Sequence, residues 1–272
     1  MAEFIKDLLS YPFIVRAFIV GIPVALCAAL LGVSLVLRRY SMIGDGLSHV
    51  GFGALAVAAA ANAAPLAVAV PGVVAAAFFL LRITENGKMK GDSAVAVISS
   101  GALAVGVMII SLSKGMNTDL NNYLFGSVLA MNTADTVLSL ILSAAVLIIY
   151  IAFYNYVFAV TFDESFARAT GLNTKLMNCF MAVLTALTVV VGMRLMGAML
   201  ISALIIFPSL SAMRLFKTFR AVTVSTAVIS VVCFTTGLLI SCVYAVPTGA
   251  CIVTVNLAVL IICAAAGKIK YR

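Results

Sequence analysis

Runs of about twenty apolar residues, the length that carries a helix across a bilayer, succeed one another along nearly the whole chain with only short polar turns between them. They fall at approximately 12–37, 43–61, 64–82, 93–113, 134–158, 176–193, 196–213, 221–243 and 248–267. The 272 residues are 64% hydrophobic and 10% charged, where a soluble domain is roughly half apolar and a quarter charged. No core of this size hides so much apolar surface from water, so lipid is the solvent. Backbone groups in lipid have to be satisfied internally, and runs of this length do so as helices. The expected fold is all-α: a polytopic transmembrane bundle of about nine helices forming one membrane domain over residues 1–272.

The head, MAEFIKDLLSYPFIVRAFIV, flows into the first run without a polar break or small-residue cleavage site, so an uncleaved first span is expected. Between the fourth and fifth runs, NTDLNNYLFGSVLAMNTAD (residues 117–135) is too polar at its start and too short to span. It reads as a short helix lying at, or re-entering from, one surface. The net charge of +8 reports orientation here, not a nucleic-acid partner. If the first span runs from outside to inside, thirteen basic residues collect on inner segments and four on outer ones. The expected topology therefore has the N-terminus outside and the C-terminus in the cytoplasm. The six cysteines sit mostly within apolar runs and lack a CxxC pair, which suits small buried hydrophobes. No GxxxxGK[ST] loop occurs, so any ATP used would be bound by another chain.

Against this background SMIGDGLSHVGFGALAVA, residues 41–58, stands out because an apolar run holds Asp45 and the chain's only histidine, His49. At i and i+4 they share one helix face, with Ser48 and Phe52 beside them. A charge inside the bilayer costs at least about 2.5–3.5 kcal/mol on insertion scales, and is kept where it lines a path or meets a partner. Three readings stay open. Asp45 is a helix cap and His49 a satisfied core residue; the pair relays protons; or carboxylate and imidazole are ligands suited to Zn²⁺, Mn²⁺ or Fe²⁺. Glycines 44, 46, 51 and 53 predict close packing of this helix against its neighbours.

Two further stretches carry signals. In TFDESFARATGLNTK, residues 161–175, Asp163 is an N-cap, Glu164 suits the first turn and Gly171 stops the helix. A short amphipathic helix on the cytoplasmic side is expected. In GMRLMGAMLISALIIFPSLSAMRLF, residues 192–216, Pro208 is expected to kink or break the span and free a carbonyl. Met193, Met196 and Met199 read as packing filler.

Taken in order, Gly44-Asp45-Gly46-Leu47-Ser48-His49, then Asp163-Glu164-Ser165-Phe166-Ala167 to Gly171, then Gly197 to Pro208, resemble the permease subunits of bacterial zinc/manganese ABC transporters. The YLFGS run at Tyr123 to Ser127 looks like the same family. The resemblance implies a type II ABC importer-like permease in the bacterial plasma membrane, with no enzymatic activity of its own. Its implied partners are an ATP-binding subunit, an extracytoplasmic metal-binding protein and a second permease copy. It implies no permanently bound cofactor, only transported Zn²⁺ or Mn²⁺, zinc being favoured, with manganese and iron left open as cargo. Asp45, His49 and Ser48 would line the metal path, and Pro208 would serve gating. Asp163, Glu164, Ala167, Arg168 and Gly171 would belong to a coupling helix at about 163–172 that seats on the ATPase. The rival class is a proton-coupled secondary metal transporter, although inverted repeats are lacking. An intramembrane metal enzyme is disfavoured by the absence of HExxH and of a second histidine.

Overall fold

A computed structural model describes residues 11–85, 91–112 and 133–270. All regular elements among them are helices: α1 (Pro12–Leu37), α2 (Ile43–Ala60), α3 (Pro65–Glu85), α4 (Gly91–Leu112), α5 (Thr133–Ala152), α6 (Tyr154–Phe162), α7 (Glu164–Ala169), α8 (Thr174–Met196), α9 (Ala198–Leu215), α10 (Phe219–Tyr244) and α11 (Thr248–Lys270). Eight of these are long and apolar enough to cross a membrane, and the bent pair α5–α6 makes a ninth if counted as one span. Among the described residues this is the expected all-α bundle, with eight or nine spans. Most of the expected surface helix at 117–135, and the YLFGS run, lie outside the described residues.

The fifth run differs from its expected single span at 134–158. Helix α5 ends at Ala152, and α6 leaves Phe153 at 68° to it. Aromatic packing holds the elbow: the Phe158 and Phe162 rings of α6 lie 5.1 and 5.9 Å from Phe219 at the start of α10. An apolar periodicity does not register such a turn, because both limbs are equally hydrophobic.

Helix α1 is the central post, packed by α5, α8, α9 and α10. With lipid outside there is little hydrophobic gain from helix association, so close approach and interhelical hydrogen bonds do the work. Ser230 Oγ of α10 donates to Ala25 O at 3.0 Å, and Ser209 Oγ of α9 donates to Ala29 O at 3.3 Å. At Gly32 the backbone of α9 comes so near that a β-carbon would overlap the Ile205 carbonyl. That neighbour is main chain and cannot rotate away. Gly32→Ala is therefore expected to cost about 1–3 kcal/mol, the usual penalty of overpacking. The check is thermal unfolding of the purified protein in detergent, where an unchanged midpoint would mean that α1 and α9 separate freely.

Helix α2 packs against α3, α4, α8 and α9. As its glycine pattern predicts, neighbours come close: a β-carbon on Gly53 would stand 2.8 Å from Ala102 O of α4. Helices α8 and α9 are joined by Gly197 alone, at φ 87° and ψ 158°. That conformation is essentially closed to residues with a β-carbon. Helix α9 continues through Pro208 without interruption, since the proline lies inside the single helix Ala198–Leu215. The break within the 192–216 stretch, expected at Pro208, falls at Gly197 instead, and what Pro208 does remove is an amide donor. All six thiols are free, with Cys27, Cys233 and Cys263 buried.

Candidate metal path and coupling helix

Asp45 lies in the first turn of α2, where the helix dipole favours a negative charge. His49 follows one turn later. Its Nε2 stands 3.7 Å from Asp45 Oδ2, and the two side chains are 20% and 39% exposed respectively. That gap is too long for a hydrogen bond. It suits a shared ion: two donors each about 2.1 Å from one metal stand about 3.4 Å apart at a tetrahedral angle and wider in flatter geometries. His49 Nδ1 is buried and has no hydrogen-bond partner among the described residues. Among these residues no group of three or more His, Cys, Asp or Glu side chains could hold a metal. The constellation therefore offers two strong ligands and leaves the rest of a shell to water or weaker oxygens.

Ser48, expected on the path with them, lies one position before His49 on α2. It is fully buried, and its hydroxyl donates to the Asp45 carbonyl at 2.7 Å. Phe52, expected on the same face, is also buried. On an 18-residue helix wedged among four others, the 100° step between neighbouring positions is enough to put Ser48 into the packing while His49 keeps a free edge. The hydroxyl that does face the carboxylate comes from α9: Ser202 Oγ is 3.4 Å from Asp45 Oδ1. Ser202 lies in an unbroken apolar run, ISALIIF, and nothing local distinguishes it from a packing serine.

The expected helix at 163–172 forms as α7, Glu164–Ala169, shorter by the capping residues. Asp163 caps it, accepting from Phe166 N at 2.9 Å, and Gly171 ends it at φ 88°. Ala167 is buried and anchors the helix, whereas Phe166 is 66% exposed. Glu164 is held by charge: Arg38 Nη2, at the end of α1, donates to its Oε2 at 2.9 Å. Arg38 Nη1 donates to Asn178 Oδ1 of α8 at 2.6 Å, and Asn178 Nδ2 returns to Glu164 Oε1 at 3.3 Å. Arg168 adds a looser contact to Glu164 at 3.4 Å. Sequence reading finds Glu164 and Arg168 but not Arg38 or Asn178, which lie 126 residues before Glu164 and 14 after it.

The bundle of membrane-length helices thus carries a carboxylate–imidazole pair on α2 and a short capped helix, α7. The ABC 3 transport family model matches residues 10–267, and the chain belongs to that family. It is 30% identical over 252 residues to the manganese transport system membrane protein MntC of Halalkalibacterium halodurans, covering 93% of this chain and 86% of that one. It is also 30% identical over 237 residues to the high-affinity zinc uptake system membrane protein ZnuB of Haemophilus influenzae, covering 87% and 91%. Among solved structures, PsaBC from Streptococcus pneumoniae in complex with Fab superposes with a TM-score of 0.85 at 28% identity, covering 96% of this chain and 94% of that one.

Proposed function

We propose that the chain is the permease subunit of an ATP-driven importer for divalent transition-metal ions, zinc, manganese or iron, with Asp45 and His49 as the ion's foothold within the bundle. The observation that carries the reading is the 3.7 Å separation of Asp45 Oδ2 and His49 Nε2, open enough to share an ion and too open to satisfy each other. Similarity to permeases named for manganese and for zinc supports the same cargo class. An incomplete shell suits a path, because an ion has to be released as readily as it is bound. With the basic end in the cytoplasm, N-terminus outside and C-terminus inside, α7 faces a separate ATPase and an extracytoplasmic binding protein delivers the metal opposite. Two permease copies enclose the path, and Pro208, which frees a carbonyl within α9, adds compliance for gating.

The test is uptake of radiolabelled Mn²⁺ and Zn²⁺ into proteoliposomes holding permease, ATPase and metal-loaded binding protein. Uptake is expected to require ATP inside and to survive collapse of the proton gradient. Uptake that persists without ATP and stops with an uncoupler would assign the chain to proton-coupled transport.

A further inference from the structure

We propose that Ser202 is a third ligand-bearing residue of this path and biases it towards oxygen-preferring ions. The inference rests on the reading of Asp45 and His49 as the metal foothold. Ser202 is buried on α9 and has two acceptors within reach, Asp45 Oδ1 at 3.4 Å and its own helix carbonyl Ala198 O at 3.1 Å. A hydroxyl has one proton and two lone pairs. With no ion present, the proton is shared with the carboxylate and eases its burial. When a cation occupies Asp45, the proton turns wholly to Ala198 O, and the oxygen lone pairs are left facing the ion. The exchange needs only rotation of the hydroxyl: no bond is broken, no backbone moves and no donor is orphaned.

Back-bonding to a carbonyl one turn earlier is common to serines and threonines in helices, and Thr185, Ser209 and Thr223 all do it here. Ser209 also has a second acceptor, but that one is the neutral Ala29 carbonyl. Ser202 differs because its second acceptor is a carboxylate on another helix, beside the imidazole. One nitrogen and two kinds of oxygen make a harder donor set than the carboxylate–imidazole pair alone. Manganese accepts oxygen ligands readily, whereas zinc gains more from nitrogen and sulfur.

The experiment measures Mn²⁺ and Zn²⁺ uptake by the reconstituted complex with Ser202→Ala, Ser202→Thr and Ser202→Cys, beside Asp45→Asn. Ser202→Ala is expected to lower Mn²⁺ uptake about tenfold, within the range for groups that tune a metal site, and Zn²⁺ uptake less. Ser202→Thr keeps the hydroxyl and the wild-type ratio of the two metals. Ser202→Cys shifts the ratio towards Zn²⁺. An unchanged ratio across all three variants, whether rates are normal or uniformly reduced, would overturn the proposal and leave Ser202 a packing residue. Should Ser202→Ala fail to assemble, the ratio in the Thr and Cys variants decides alone. Loss of uptake in Asp45→Asn with an unchanged ratio in the Ser202 series sinks this proposal only. Wild-type uptake in Asp45→Asn sinks the metal path beneath it.

Discussion

Uptake of zinc and manganese is expected to fall by about a hundredfold or more in Asp45→Asn and in His49→Leu, since losing a direct ligand exceeds the 10–100-fold typical of outer-shell groups. Both variants are chosen to spare the fold. Asparagine keeps the shape of Asp45, and its amide still accepts from Ser202 Oγ while no longer offering a charge to a dication. Leucine fills the imidazole's volume, and because His49 Nδ1 has no hydrogen-bond partner among the described residues, its removal breaks no bond seen there. Membrane insertion and recovery with the ATPase should match wild type. Ser48→Ala supplies the contrast. It deletes only the bond from Ser48 to the Asp45 carbonyl within α2, so uptake should remain near normal. The measurement is radiolabelled uptake at matched permease content. Normal uptake in both the Asp45 and His49 variants would reduce the pair to filler, and a severe loss in Ser48→Ala would return that serine to the path.

What the sequence made legible follows from what its periodicity reports. Length and hydropathy identify spans because each span satisfies its own backbone, and the i, i+4 spacing placed Asp45 and His49 on one face before any tertiary contact was known. Asp163 and Gly171 were equally readable, since caps act over three or four residues. The missed features are all nonlocal. Ser202 reaches Asp45 across 157 positions, and Arg38 reaches Glu164 across 126. Neither serine nor arginine carries a local mark of its partner. The burial of Ser48 was not readable either, because a face assigned by spacing is wide, whereas packing by α3, α4, α8 and α9 leaves α2 a narrow free edge. The elbow at Phe153 was hidden for another reason: an apolar aromatic neither breaks hydropathy nor resembles a turn.

The second large effect concerns the link between α7 and the site, where two lesions should separate docking from transmission. Ala167→Pro removes the amide that donates to the Asp163 carbonyl at 2.9 Å and puts a ring where the side chain is buried. Interior proline costs about 3 kcal/mol, more than a six-residue helix can absorb. That variant should insert in the membrane yet lose co-purification with the ATPase, and transport with it. Arg38→Glu attacks a different link. Arg38 ends α1, and the turn that follows, with Arg39 at φ 63°, leads directly into α2 and Asp45. The Arg38–Glu164 pair therefore ties α7, the proposed ATPase-docking helix, to the segment that carries the proposed ligands, and rigid elements joined this way can carry a displacement between sites. Arg38→Glu places like charges together and should leave the capped α7 able to dock, so ATPase association persists while metal moved per ATP hydrolysed falls severalfold. The double variant Arg38→Glu with Glu164→Arg restores opposite charges and should recover part of that ratio. Recovery cannot come from a general folding defect, because the second substitution alone removes the same native pair. If Arg38→Glu transports with wild-type stoichiometry, the ion pair only staples α7 in place, and movement reaches Asp45 through the packing of α8 against α2.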